Sequence, residues 1–297
     1  MIVALTGAGG FLGQALVDHL SRSGHAVRAL VRHPEPFRRE RPELPCGVCD
    51  LPDRLDESLI AGADAVVHAG WATRENDPVR AARCNVEGTR RLAESCRRLG
   101  VPQVIFISTI SASPHAPGFY ARSKHAAEAC FDPQRDAVVR PGLILASRGG
   151  GLFQQLLGAA RTLHLVPLFG GGRQPLQTLP LEDACRGIAR VLEGRLAGTF
   201  CLAEPEPMML GPFLRLATRR LGIRCAFLPV PFLPALLGLR LAERLGLPLP
   251  LRSESLLGLR SLRHVPVEAD LERLGMCVRP AAQSLERIAA ELAEAAK

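Results

Sequence analysis

Short apolar runs alternate with helix-spaced segments from the first residues of the chain. Ile2–Thr6 is an uninterrupted apolar run suited to a strand buried on both faces. A glycine-rich stretch, Gly7-Ala-Gly-Gly-Phe-Leu-Gly13, follows directly, and residues 14–20 then place apolar side chains at helical spacing. Residues 26–32 read as a second strand, and 46–49 run into a third. Leu181-Glu-Asp183 opens a helix that runs through Glu193. This alternation, held to about residue 200, predicts an α/β protein with a doubly wound parallel sheet.

The pattern changes after about residue 204, where Leu, Pro and Arg dominate. Residues 229–244 read as a Pro-initiated apolar helix whose charges arrive late, at Arg240, Glu243 and Arg244. Such a helix reads as core or dimer surface in preference to a membrane contact. An amphipathic helix over 281–297 is expected to close the chain. The expected organisation is therefore a dinucleotide-binding domain over 1–203, crossing to a second lobe from about residue 143. A smaller, mainly helical substrate-binding lobe over 204–297 completes it. Gly170 to Gln174 reads as a flexible connecting turn.

The formal net charge is +8 over 297 residues. Arginines interspersed with acids along helices, as in Arg90-Arg-Leu-Ala-Glu94, read as solvated faces. With one Tyr and one Trp there is no aromatic stacking platform, so nucleic acid is not indicated. The first strand begins at residue 2, and no run of about 18 uncharged apolar residues occurs. Neither a signal peptide nor a membrane span is expected, while a peripheral membrane contact and a homodimer both stay open. Nine scattered cysteines suit a reducing cytoplasm, and the Cys46/Cys49 spacing lacks a second pair to complete a metal site. No metal is expected.

The glycine stretch has a strand before it and a helix after it, the context a nucleotide-binding turn requires. Gly7 permits the tight turn, Gly10 lets backbone approach a pyrophosphate, and Gly13 lets helix and strand pack closely. The helix N-terminus behind Phe11 and Leu12 offers N–H groups to phosphate. At the end of the second strand an NAD binder places a carboxylate for the ribose. This chain has Val31, Arg32 and His33 there, with Arg28 upstream. A cation suits a 2′-phosphate, which favours NADP while NAD remains open.

Tyr120 is the only tyrosine, and Lys124, four residues on, is the only lysine besides the last residue, Lys297. A chain that uses Arg elsewhere keeps Lys where a compact, tunable charge is needed. On a helix the two share one face, so Lys124 is expected to lower the Tyr120 pKa and prepare it as general acid or base.

These motifs resemble the extended or atypical short-chain dehydrogenases/reductases, the NAD(P)-dependent epimerase/dehydratase superfamily, over roughly residues 1–200. Thr6 to Gly13 resembles the family's glycine loop, and Asp50-Leu51 resembles the pair that contacts adenine. Asp64 to Gly70 resembles the fourth strand and the cofactor turn, including His68, Ala69 and Gly70. Asn85-Val-Glu-Gly-Thr89 resembles a family helix in which Asn85 serves the catalytic site. Ile107 to Ser111 resembles the fifth strand, with Thr109 at the substrate-oxygen position. Arg140-Pro-Gly142 resembles a turn whose Pro141 and Gly142 lie near the nicotinamide. The resemblance implies Tyr120, Lys124 and Thr109 as catalytic residues, with Lys124 also holding cofactor. Thr109 and Tyr120 stand only 11 positions apart, shorter than is usual in the extended group. Ser111, or even Ser108, could serve instead of Thr109. Trp71 reads as pocket lining or as a rim or core aromatic. The function implied is hydride transfer to or from a small or apolar carbonyl or alcohol. Alternatives are a nucleotide-sugar epimerase/dehydratase and a non-catalytic dinucleotide-binding protein.

Overall fold

The structure, a computed structural model, describes residues 1–73, 75, 77–247 and 252–295. Lys297 and the end of the helix expected to reach it lie outside the described residues. The first half of the chain lays down β1 (Ile2–Thr6), α1 (Phe11–Arg22), β2 (Ala26–Val31), α2 (Pro34–Glu40), β3 (Cys46–Asp50) and the short β4 (Arg54–Leu55). It continues with β5 (Ala65–His68), α3 (Pro78–Ala82), a π-helical turn over Arg83–Glu87, α4 (Gly88–Arg98), β6 (Val104–Ile107), α5 (Phe119–Glu128) and β7 (Ala137–Pro141). Next come β8 (Leu143–Leu145), α6 (Leu152–Leu163), β9 (Leu165–Phe169), β10 (Pro175–Leu176), β11 (Thr178–Pro180), α7 (Leu181–Glu193) and β12 (Gly198–Leu202). The chain ends through β13 (Met208–Met209), α8 (Leu210–Arg220), β14 (Ala226–Val230), α9 (Phe232–Arg244), α10 (Ser253–Arg260), α11 (Glu268–Arg273) and α12 (Ala281–Glu294).

Eight strands join in the order β12-β7-β6-β5-β1-β2-β3-β4. Every pairing is parallel except that of β3 with β4. The doubly wound α/β architecture expected from the alternating pattern is present. The apolar runs explain it: Val3, Ala4 and Leu5 on β1 and Ala65, Val66 and Val67 on β5 are fully buried, as strands covered on both faces must be. β1 pairs with β2 on one side and β5 on the other, so the strand order reverses there. Ligands of open α/β sheets bind beyond the strand C-termini at such a point.

One face of the sheet packs on α1 and α7 and on Val267, Leu271 and Leu274 around α11. The other packs on α4 through Leu92, Ala93 and Cys96. A separate core joins α6, β9, α8, α10 and α12 into the second lobe, so that lobe draws on residues near 145–176 as well as the C-terminal stretch. Gln177 ties the two parts together. Its amide donates to Glu204 O (3.0 Å) and Val265 O (2.9 Å), and its Oε1 accepts from Val265 N (2.8 Å). Of the two positions expected for the apolar helix near 229–244, core or dimer surface, the core position is not met, because Leu236 is the only buried residue of α9.

Candidate active site

The turn after β1 is built by close approach. Gly7 sits at φ +71°, and a Cβ there would stand 2.6 Å from Gly70 Cα. A Cβ on Gly13 would stand 2.0 Å from Gly7 O, so α1 can lie against the turn only with glycine at that position. Gly10 differs: a Cβ would meet only Gly7 O, at 3.1 Å. It is the N-cap of α1, which has no side-chain cap on its first turn of Phe11, Leu12 and Gly13. The backbone donors of a helix N-terminus and its positive dipole end are suited to a phosphate.

Behind this turn runs a buried hydrogen-bond chain. Thr89 Oγ1 donates to Asn85 O (2.6 Å), which leaves it to accept from His68 Nε2 (2.9 Å). His68 Nδ1 must then accept from Thr6 Oγ1 (2.6 Å). Thr6 Oγ1 in turn accepts from Gly70 N (3.3 Å). His68 is thereby held as the neutral Nε2–H tautomer, and burial pushes its pKa down to about 3. Its imidazole faces the interior, so only its backbone borders the turn with Ala69 and Gly70. Asn85 lies in the π-helical turn, and its Oδ1 accepts from Ala72 N (2.7 Å). It fixes the backbone beside Trp71.

Trp71, Tyr120 and Lys124 come together. Lys124 Nζ lies 3.7 Å from the Trp71 ring centroid and 4.7 Å from that of Phe106, and it donates to Ile107 O (2.5 Å). Trp71 meets Tyr120 edge-on at 6.5 Å between centroids. The expectation that Lys124 lowers the Tyr120 pKa is corrected here. As a whole residue Tyr120 is 39% accessible, while desolvation around its hydroxyl pushes the phenol up to about 12. Lys124 is buried and shifted well down, with Glu128 opposing that shift. The ammonium is engaged by a carbonyl and an indole face.

Thr109 Oγ1 and Ser111 Oγ lie 3.1 Å apart at the end of β6. Ser108 is turned away, donating to Glu128 Oε1 (2.5 Å), whose carboxylate also takes the Arg140 guanidinium at 2.8 and 2.5 Å. Pro141 O accepts from Ile110 N (2.9 Å), joining the ends of β6 and β7. A Cβ on Gly142 would stand 2.6 Å from Gln177 O. Arg32 pairs with Asp50 (3.2 Å), both about half exposed, at the C-terminal ends of β2 and β3. Leu51 packs where α4 begins, close enough that a Cβ on Gly88 would meet its Cβ at 2.6 Å. Arg28 does not join them. Its guanidinium donates to Ala61 O (2.8 Å). Cys46 and Cys49 lie on β3, and burial pushes the Cys49 thiol up to about 12, away from reactivity.

The family profile for the NAD dependent epimerase/dehydratase family matches residues 3–199. The chain belongs to that family. This NAD(P)-dependent enzyme family member is similar to a ceramide reductase of Caulobacter vibrioides, 35% identical over 62% of this chain and 58% of that protein. It is also similar to the 4-hydroxy-2-methyl-3-oxo-4-farnesyl-3,4-dihydroquinoline-1-oxide ketoreductase of Stigmatella aurantiaca, 27% identical over 81% of this chain and 79% of that one. Among solved structures, the human epimerase family protein SDR39U1 with NADPH shares the fold at a TM-score of 0.74 and 21% identity, over 98% and 99% of the two chains. MoeE5 with UDP-glucose and NAD does so at 0.75 and 19%, over the whole of both.

Whether an NAD(P) cofactor fits this family member's own residues is tested by the glycine turn. Gly7 and Gly13 are closed to any side chain, whereas Gly10 leaves its outer side clear at an uncapped helix start, a cradle that a side chain would fill. The residues present fit the group.

Two features of the site escape the sequence motifs. Glu254 of α10 accepts from Phe119 N (2.7 Å) and Tyr120 N (3.3 Å), so the second lobe caps the helix that carries Tyr120. The segment after β8 crosses Phe11, where a Cβ on Gly149 would stand 2.4 Å from the ring. The run of three glycines at 149–151 is a signal that could have found the second contact. No local signal marks the first.

Proposed function

We propose that this enzyme is an NADP-dependent reductase of an apolar carbonyl compound, acting in reverse on the corresponding alcohol. The observation that carries the reading is the meeting of the chain's only Trp, its only Tyr and Lys124, with Lys124 donating to Ile107 O at the end of the strand that leads to Thr109 and Ser111. Gly7, Gly10, Gly13 and the N–H groups of Phe11 and Leu12 hold the pyrophosphate. Asp50 and Leu51 border the adenine, and Arg32 holds the 2′-phosphate. Ala69, Gly70, Pro141 and Gly142 border the nicotinamide. The bound nicotinamide supplies the hydride chemistry. Thr109, seconded by Ser111, hydrogen-bonds the substrate oxygen, and Tyr120 donates a proton to it as the carbonyl carbon is reduced. Solvent then restores the phenol proton. Lys124 and Trp71 fix that wall of the site, and Asn85 positions Trp71 through Ala72.

The names of relatives support the apolar assignment. Relatives are named for a ceramide, for a farnesyl-bearing dihydroquinoline oxide and, in Stenotrophomonas maltophilia, for a 2-alkyl-3-oxoalkanoate. The lobe expected to receive substrate, with the segments near 143–176 that share its core, is where such a chain would bind.

The test is a panel of alkyl ketones and 3-oxo acids with NADPH or NADH, read by loss of reduced-nicotinamide absorbance. Turnover is expected with NADPH, and Tyr120→Phe is expected to lower it by roughly a hundredfold or more, the scale of lost general acid catalysis. A phenol held near 12 stays protonated, so Tyr120 imposes no loss of reduction rate between about pH 7 and pH 10. Oxidation of the alcohol, which needs the phenolate, rises with pH over that range. Parental turnover by Tyr120→Phe on a confirmed substrate overturns the mechanism.

A further inference from the structure

The second lobe carries a surface that catalysis does not explain. On α9 and its C-cap the leucines at positions 233, 237, 241 and 245 are 63%, 58%, 58% and 66% exposed. Their spacing of four puts them on one side of the helix, which therefore shows solvent an apolar stripe over its whole length. Leu247, just beyond, is exposed as well. Single exposed leucines are ordinary, but a row of them on one face marks a contact surface.

Charge identifies the partner. Residues 210–264 contain nine Arg and two Glu, a surplus of seven out of the chain's net +8. Basic residues thus outnumber acidic ones far more on the stretch that carries the stripe than over the rest of the chain. All nine arginines are exposed, Arg240 and Arg244 on α9 itself. Both glutamates are turned to internal tasks: Glu243 accepts from Ser253 N (2.7 Å) and Ser253 Oγ (2.6 Å), and Glu254 caps α5. Arg220 pairs with Glu286 (2.9 Å), whereas Arg215 and Arg260 lie over Phe227 and Phe232 and keep their charge. A second copy meeting this surface face to face would bring like charges together. An anionic phospholipid surface answers both the leucines and the arginines.

We propose that α9 seats this protein on an anionic lipid bilayer, with its leucines entering the acyl boundary and Arg240, Arg244 and Arg260 facing phosphate headgroups. α10, next in the chain, caps the helix that carries Tyr120, so the docked surface lies one element away from the candidate site. The proposal stands independently of the chemistry assigned to that site.

Co-sedimentation of the full chain with vesicles tests it. Binding is expected to phosphatidylcholine vesicles containing about 30% phosphatidylglycerol, and not to phosphatidylcholine alone. About 0.5 M salt should lower it roughly tenfold or more by screening the headgroup attraction. The double variant Leu237→Glu/Leu241→Glu, altering exposed positions only, should lower partition roughly tenfold or more. Arg240→Glu/Arg244→Glu, which keeps the stripe, should do the same. A protein that stays in the supernatant with phosphatidylglycerol vesicles at low salt overturns the proposal, as do leucine variants that bind like the parent. A dimer by light scattering that the leucine variant dissolves would reassign the stripe to a second copy and equally overturn it.

Discussion

Lys124 Nζ lies 3.7 Å from the centre of the Trp71 ring while donating to Ile107 O. The ammonium is boxed between a carbonyl at the end of β6 and an indole on the loop after β5, almost without access to water. A buried Lys pays for desolvation unless such partners surround it. The pair therefore fixes Trp71, which in turn meets Tyr120 edge-on.

Lys124→Arg is expected to fail although it keeps the charge. The guanidinium is wider and planar, and inserting it into a filled pocket costs about 1–3 kcal/mol. Trp71 is the only tryptophan, so its emission reports this pocket alone. The variant should shift that emission and lose turnover by roughly tenfold or more, in line with the displacement energy. Parental emission together with parental turnover would show that the ammonium geometry is not required.

The two outer glycines of the turn and the middle one are expected to separate folding from binding. Gly13→Ala forces a Cβ to within 2.0 Å of Gly7 O and should cost about 1–3 kcal/mol of stability, read as a lower urea midpoint. Gly10→Val brings a Cβ to 3.1 Å from Gly7 O, a tight contact but far milder than the one at Gly13, and should lose less stability than Gly13→Ala yet lose NADPH affinity. Unchanged affinity in Gly10→Val would mean that this turn does not touch phosphate.

Much of this architecture is legible in the sequence because it is local. The apolar run of β1, the glycine turn and the helix behind it fall within 22 residues, and each dictates the next by sterics alone. What stays hidden is set by distant partners. Lys124 and Tyr120 share a helix, which suggested that the ammonium tunes the phenol. A tryptophan 53 positions earlier in the chain captures it instead. Glu254 caps the helix of Tyr120 from 134 positions away. The α9 leucines look like core residues in a one-dimensional pattern, because composition cannot say which apolar face finds a partner.

Cofactor preference is expected to follow Arg32. It stands against Asp50 at 3.2 Å in a half-exposed pair, which holds it only weakly and leaves its other donors for a 2′-phosphate. Arg32→Asp removes that partner and sets two carboxylates side by side. NADPH affinity should fall by roughly tenfold to a hundredfold, the scale of one charge-assisted hydrogen bond, while NADH affinity changes little. Titration of Trp71 emission with each cofactor measures both. Tighter NADH binding in the parent, or equal losses for the two cofactors, would remove the 2′-phosphate role.

The buried His68 predicts how stability depends on pH. Its pKa is about 3 when folded and near 6.5 when unfolded. Below pH 6.5 the unfolded chain takes up a proton that the folded chain refuses, so this residue costs stability as pH falls. The slope is about 1.4 kcal/mol per pH unit down towards pH 3, and above pH 6.5 the contribution is flat. Between pH 7 and pH 5 the loss from this residue is therefore about 2 kcal/mol. Gln in its place does not titrate. Whatever His68→Gln costs at pH 7, the variant should lose about 2 kcal/mol less than the parent on going to pH 5, in urea unfolding at both values. Equal losses in the two proteins would mean that burial does not hold the His68 pKa down in the folded state.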